Sequence, residues 1–238
     1  MNMVAADRFS DAQLAELFTR GYEGYYVPVH VDEGVMRYMI DAWDVDLARS
    51  RVIEDVGLCN LAIRGERGWI GGIAVVPSAR RRGLGRRLLE AVLEHAPPTV
   101  TLEVLEQNEP AIGLYEQLGF ETTRILEVWS VAETPLVEAR AVDAAPLGGD
   151  GLPWQREDAS LPPGGYERLE LGGGGAILIR NGNVLQLRAA DEDEAADLLS
   201  RGTALQFVNV PEGDVASGAL RRLGGQLTLR QLEMRLAR

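Results

Sequence analysis

Residues 73–89 read Ile-Ala-Val-Val-Pro-Ser-Ala-Arg-Arg-Arg-Gly-Leu-Gly-Arg-Arg-Leu-Leu. An apolar strand stops at Pro77, a short turn follows, and a helix begins among the glycines. The first N–H groups of a helix lack internal partners and carry the positive end of its dipole. Gly83 and Gly85 have no side chains, so an anion can come close to those amides. Arg80, Arg81, Arg82, Arg86 and Arg87 add charge-assisted donors shaped for phosphate oxygens. This pattern is built to bind a pyrophosphate.

Residue type excludes two other phosphate motifs. A Walker loop needs Lys and then Ser or Thr after its second glycine, where Arg86-Arg87 stand. A dinucleotide fingerprint needs a third small residue near Leu88, which is missing, although Glu103 sits near the place of its acidic partner.

The elements that must position this turn can be read around it. Ser10 with Gln13 predicts an N-cap before a helix bearing Leu14, Leu17 and Phe18. A second helix is expected over Glu33 to Trp43 or beyond. Strands are expected at Ser50–Ile53, Gly57–Ile63 and Trp69–Val76, the last two joined as a hairpin across residues 64–68. A helix then runs from Gly83 to about His95, ending before Pro97-Pro98. Thr99–Leu105 reads as a strand, Pro110–Leu118 as a helix and Phe120–Val131 as one or two strands.

Composition sets the bounds. The 238 residues are 46% hydrophobic and 25% charged, as in an ordinary globular protein with a packed core. No apolar run approaches the roughly 18 residues of a membrane span, and the first residues lack a signal-peptide core, so a cytoplasmic protein is expected. Cys59 is the one cysteine, which excludes an intrachain disulfide and thiolate metal clusters. With only His30 and His95 as imidazoles, no metal site is expected. A net charge of −12 argues against nucleic acid as a partner and suits a cationic ligand better. All 24 basic residues are arginine, so the chain has no lysine side chain of its own to acylate.

The pattern Arg80-x-x-Gly83-x-Gly85, followed by Leu102-Glu103-Val104, Asn108, Ala111 and Leu114-Tyr115-Glu116-Gln117-Leu118-Gly119-Phe120, resembles the Gcn5-related N-acetyltransferase (GNAT) superfamily. The resemblance covers about residues 48–130 and extends less specifically over the first two helices. It implies an α/β (α+β) fold with a mixed central sheet flanked by helices, and acetyl-CoA as co-substrate. Main-chain groups of Ile73, Ala74 and Val75 would pair with the pantetheine arm, and an amide near Ala74 would stabilise the oxyanion. Arg80, Arg81, Arg82, Gly83, Leu84, Gly85 and Arg86 would hold the pyrophosphate. Asn108 either helps hold the cofactor arm or caps the helix near Pro110.

The same resemblance makes Tyr115 the candidate acid for the leaving thiolate, and with a phenol near pKa 10 above a thiol near 8.5 the transfer needs modest tuning of the two. Packing in the core is the other reading of that side chain. Glu103 is the candidate base for the amine. It matches the base position of superfamily members that modify protein N-termini, with Glu54 and Asp55 in reserve. Solvation on the outer sheet face is the other reading of Glu103. Tyr22, Tyr25, Tyr26 and His30 would line the acceptor site, for a small-molecule amine or a peptide. A non-catalytic CoA-binding or protein-interaction module is the competing function, with no need for either Tyr115 or Glu103.

Residues 133–165 are rich in Pro, Gly, Asp and Ala and read as a linker between a domain at 1–132 and a smaller one at 166–238. The second part repeats the order strand, strand, helix, strand, helix, strand. At an offset of 105 residues, Leu118-Gly119 falls on Leu223-Gly224. Where the phosphate-binding turn would stand, Asp191-Glu192-Asp193-Glu194 open the helix, and Leu220 replaces Tyr115. Those carboxylates satisfy the helix dipole themselves and repel a pyrophosphate. The expectation is a degenerate second half of a tandem protein, with one active centre per chain.

Overall fold

In the computed structural model the described residues are 2–132, 146–162, 164–171, 174–201 and 205–238. They form two compact units, Met1–Glu121 with Met234–Arg238, and Thr122–Glu233. The boundary expected at residue 132 therefore falls inside the second unit, and the chain's last residues count with the first. Residues 133–145 of the expected linker lie outside the described residues, whereas 146–162 are part of the second unit.

The first unit opens with strand β1 (Met3–Ala5), then helices α1 (Asp11–Gly21) and α2 (Glu33–Ala42). The cap read from Ser10 and Gln13 is formed: Gln13 N–H donates to Ser10 Oγ at 3.2 Å, and Ser10 N–H to Gln13 Oε1 at 2.9 Å. Leu14, Leu17 and Phe18 are buried on the inner face of α1. Strands β2 (Arg51–Ile53), β3 (Gly57–Arg64) and β4 (Arg67–Val75) run antiparallel in the order β1-β2-β3-β4, and β5 (Thr99–Leu105) joins β4 in parallel. The crossover from β4 to β5 is α3 (Leu84–Leu93), whose Leu88, Leu89 and Val92 are fully buried. After β5 comes α4 (Glu109–Gln117). Strand β1 was not expected, because three residues are too few for periodicity. Its place follows from backbone pairing of Met3–Ala5 with Ile53–Arg51.

The second unit takes up strand β6 (Glu121–Val131) from Thr122, and continues through β7 (Glu167–Glu170), β8 (Ala176–Arg180), β9 (Asn183–Arg188), helix α5 (Glu192–Ser200), β10 (Leu205–Pro211), α6 (Val215–Arg222) and β11 (Gln226–Ala237) up to Glu233. The order is β11-β6-β10-β9-β8-β7. Asn181 and Gly182 both have positive φ, 50° and 74°, the requirement of the tight turn joining β8 to β9. Ile177, Leu198, Leu199, Phe207 and Leu220 form its main core.

The expected repeat is present in the element order, β3-β4-α3-β5-α4-β6 against β8-β9-α5-β10-α6-β11. Pairing agrees as well: β3/β4 and β8/β9 are antiparallel, β4/β5 and β9/β10 parallel. The 105-residue offset superposes two identical helix stops. Phe120 N–H donates to Tyr115 O at 3.0 Å and Gly225 N–H to Leu220 O at 2.8 Å, with Gly119 (φ 89°) and Gly224 (φ 72°) both left-handed.

Candidate functional site

The parallel pair β4/β5 is hydrogen-bonded only from Arg67↔Thr99 to Ile70↔Leu102. Beyond that point β4 continues to Val75 and β5 to Leu105, and the two strands part. Gly71 is the extra residue of a bulge, since Asn60 faces Gly72 while Leu61 faces Ile70. Both glycines are required by close approach: a Cβ on Gly71 would stand 2.5 Å from Trp69 Cζ3, and one on Gly72 2.7 Å from Phe18 Cε2. The bulge turns the end of β4 away from β5 and opens a cavity of about 830 Å³ between them.

The turn between β4 and α3 closes one end of this cavity. Pro77–Ala79 form a 3-10 turn, Arg81 is left-handed at φ 60°, and Gly83 is left-handed at φ 73° as the N-cap of α3. No side chain caps α3, so the N–H groups that open it are left for a ligand. A Cβ on Gly85 would meet only Ile73 Cδ1 and Val75 Cγ2, both at 4.0 Å, so packing does not demand glycine there. Its absence keeps the cavity open beside those amides. The Arg86 side chain donates to Glu90 at 2.8 Å and to Gln117 at 3.2 Å, while its main chain remains at the helix start.

Glu103, on β5, lines the cavity and accepts the indole N–H of Trp69 at Oε2, 2.7 Å away. Tyr115, on α4, also lines it and is 5% exposed. Burial raises its pKa well above 10, and the nearby Tyr22, Cys59 and Tyr25 raise it further. Burial likewise raises the Cys59 thiol. Tyr22 is raised first by burial and then by Tyr25 and Cys59, with a backbone hydrogen bond at Ile73 opposing. The cluster of Tyr22, Cys59 and Tyr115 is thus neutral at physiological pH.

The segment after α1 supplies a ladder of rings. Phe18 stacks on Tyr22 at 4.8 Å, Tyr22 meets Tyr25 edge-on at 5.0 Å, and Tyr25 meets Tyr26 edge-on at 5.3 Å. Tyr25 is hydrogen-bonded to the Asn108 side chain. Asn108 is the N-cap residue of α4 but makes no side-chain cap. Tyr26 is half-exposed at the rim.

One cavity therefore collects Tyr22, Tyr25, Tyr26, Ile73, Val75, Arg80, Arg81, Gly83, Leu84, Gly85, Arg86, Glu103, Asn108 and Tyr115. Three expected residues stand apart from its lining. His30 is exposed, Arg82 is exposed on the turn, and Ala74 is buried against Gly21, whose added Cβ would come within 2.5 Å of Ala74 Cβ. Arg80 lines the cavity, and its side chain donates to the main-chain carbonyls of Val75, Gly21 and Glu23. Trp69 was missed by sequence reasoning. The available signal was a tryptophan in an apolar strand, whose buried N–H requires an acceptor.

In the second unit the corresponding strands β9 and β10 pair only at Asn183↔Gln206 and Val184↔Phe207. Here the chain itself bridges the parted strands. Gln186 of β9 donates to Arg156 O at 2.9 Å and accepts from Leu147 N–H at 2.7 Å. Arg156 donates to Asn209 O of β10 at 3.0 Å, and its guanidinium lies 4.4 Å from the Phe207 ring centroid.

Residues 13–120 match the model of the acetyltransferase (GNAT) family. The [ribosomal protein bS18]-alanine N-acetyltransferase of Salmonella typhimurium is 47% identical over 57 residues, 22% of this chain and 38% of that protein. The chain thus spans well under half the length of this relative. The fold is similar to the GCN5-related N-acetyltransferase from Sphaerobacter thermophilus, with a TM-score of 0.69 at 18% identity over 99% of this chain and 95% of the other. It is also similar to a tandem GNAT protein from the clavulanic acid biosynthesis pathway, with a TM-score of 0.57 at 14% identity over 99% and 98%.

Proposed function

We propose, from the match of residues 13–120 to the acetyltransferase (GNAT) family model and from the GNAT fold of the chain, that it is an acetyl-CoA-dependent N-acetyltransferase acting on a primary amine. The observation that carries this reading is one cavity in which an uncapped helix start, the parted edge of β4, a carboxylate and a buried phenol meet. The acceptor is a small-molecule amine or a peptide, and the cytoplasm is the compartment that suits the reaction.

Bound acetyl-CoA supplies an acetyl thioester, and the chain's residues do the rest. The amides of Leu84, Gly85 and Arg86, with the charge of Arg81, hold the pyrophosphate. The exposed edge of β4 at Ile73–Val75 aligns the pantetheine arm as an added strand would be aligned. Asn108 orients Tyr25 at the acceptor end. Glu103 takes the proton from the incoming ammonium, because only the neutral amine has the lone pair needed to attack.

Tyr115 holds its proton at Oη beside the departing sulfur. Burial makes that phenol a weaker acid, which by itself opposes transfer. The same burial weakens a thiol in that surrounding, as the raised pKa of Cys59 illustrates. A thiolate leaving into the same surroundings meets the same desolvation, which raises its basicity in the same direction. The second unit, with the gap between β9 and β10 bridged by its own chain, binds no acyl-CoA in this reading.

The test is release of free CoA from acetyl-CoA by the purified full chain, screened over amines and peptides. Acetyl transfer to at least one of them is expected. CoA binding without transfer to any acceptor would instead favour a non-catalytic CoA-binding module.

A further inference from the structure

Arg80 opens the phosphate-binding turn, yet its hydrogen bonds run the other way. Nε donates to Val75 O at 2.9 Å, and Nη2 donates to Gly21 O at 3.0 Å and to Glu23 O at 2.6 Å. Gly21 is the last residue of α1, where carbonyls lack helical partners and carry the negative end of the dipole, and Glu23 lies just beyond the C-cap Tyr22. A planar guanidinium suits this place, because its separate nitrogens reach carbonyls lying in different directions. One side chain thereby joins three pieces: the end of β4, the end of α1 and the start of the turn.

The segment held by Arg80 is the one that carries the tyrosine ladder. Its base is closed by Thr19, whose Oγ1 donates to Val31 O and accepts from Val31 N–H, each at 3.0 Å. Within it, Tyr22 bonds the backbone at Ile73 and Tyr25 bonds Asn108. Each element that would grip acyl-CoA, namely β4, the turn and the start of α4, is therefore tied to the acceptor segment. The tie from the turn is Arg80.

We propose that Arg80 is a positioning residue: it locks the Tyr22–Tyr26 segment to the phosphate-binding turn, so that acyl-CoA bound at the turn sets the acceptor end of the cavity. The inference rests on the acyl-CoA reading above. An anion that orders Arg81–Arg86 also orders the residue that opens the turn, and through its guanidinium the carbonyls of Gly21 and Glu23. The coupling is reciprocal, so an ordered acceptor segment in turn favours the binding-competent turn.

Hydrogen exchange measured on the full chain, with CoA as the probe, tests this. In the wild type, CoA slows exchange at residues 81–86 and also at 22–26. In Arg80→Ala and Arg80→Lys, protection at 81–86 persists and CoA affinity changes by less than about threefold, while the added protection at 22–26 falls about tenfold. The lysine keeps the charge but not the planar fork, so it separates positioning from attraction of the phosphate. A purely structural role would lower the melting temperature and leave the CoA-dependent change at 22–26 intact, which would overturn the inference. So would a loss of about tenfold or more in CoA affinity in Arg80→Ala that lysine restores, the signature of a phosphate ligand. A wild type that binds no CoA would remove the acyl-CoA reading itself, an outcome distinct from either of these.

Discussion

The indole N–H of Trp69 donates to Glu103 Oε2 across 2.7 Å, joining β4 to β5 where the two strands part. Trp69 faces Thr101 in the strand register, so Glu103 is two residues further along β5 on the same face. The indole is 3% exposed and is backed edge-on by Trp43 at 5.5 Å. A carboxylate held by so rigid a donor has a defined direction, which a base acting on a positioned amine requires.

Glu103→Gln is expected to lower kcat/KM by about 10²-fold at neutral pH. The deficit should shrink as pH rises, because the acceptor amine then loses its proton to solvent and needs the base less. A pH–rate profile of free-CoA release reads this directly. A deficit that stays constant up to the pKa of the amine would exclude Glu103 as the base.

Trp69→Phe keeps the ring and removes the donor. Acetyl-CoA affinity should hold, while kcat falls by roughly three- to tenfold as the carboxylate loses about 0.7–1.4 kcal/mol of orientation. Steady-state kinetics with a separate CoA titration distinguishes this from general damage to the fold, which would weaken both.

Tyr115→Phe should retain CoA affinity and lose about 10²–10³-fold in kcat. The wild-type stability curve supplies a second measurement. Burial holds the pKa values of Tyr22 and Tyr115 above their unfolded value near 10. Above about pH 10 the unfolded chain loses these protons while the folded chain keeps them, so the folded state binds more protons and stability falls as pH rises. Below the unfolded value the contribution is fully present. Denaturation between pH 8 and 11 should therefore show a decline that Tyr115→Phe makes shallower, and an unchanged slope would contradict the burial of that phenol.

The turn was legible because its residues have few other uses. Small residues at Gly83 and Gly85 after an arginine run mark a helix start from spacing alone, and the structure adds that Gly83 is left-handed and that no side chain caps the helix. Tyr115 and Glu103 could be placed because a Leu-Gly-Phe helix stop and strand alternation locate them. Partner choice was not legible. A guanidinium satisfies phosphate or carbonyls equally well, and the acceptors of Arg80 lie at Gly21 and Glu23, more than fifty residues away. Trp69 and Glu103 are likewise joined only by strand pairing. The composition shift after Ala132 was visible, whereas the return of Met234–Arg238 to the first unit depends on pairing that no local pattern encodes. In the same way, Arg238 N–H donates to Pro98 O at 2.9 Å across 140 residues of sequence.

The two glycines of the turn should separate stability from binding. Gly83→Ala forces a side chain into a left-handed backbone and should cost about 1–2 kcal/mol of stability. Gly85→Ala places its Cβ at ordinary distance from Ile73 and Val75, so melting should be unchanged or slightly raised. Its methyl group nevertheless stands where the pyrophosphate must come close, and CoA affinity should drop about tenfold or more. If Gly85→Ala bound CoA normally, the cradle would have been misplaced.

The second unit provides the last prediction. Its parted strands are bridged by Arg156, which reaches β9 through its own carbonyl and β10 through its guanidinium. Burial pulls the Arg156 pKa down to about 10, so the side chain is still charged at neutral pH, over the Phe207 ring. Arg156→Ala removes that cation–ring contact and leaves Asn209 O short of a donor, together costing about 2–4 kcal/mol. It does not create an anion site, because Asp191, Glu192, Asp193 and Glu194 still crowd the start of α5. Calorimetric titration should find one CoA per chain in both the wild type and Arg156→Ala, with the variant melting several degrees lower. Two CoA molecules per wild-type chain would show that the bridged gap is a second site and not a filled one.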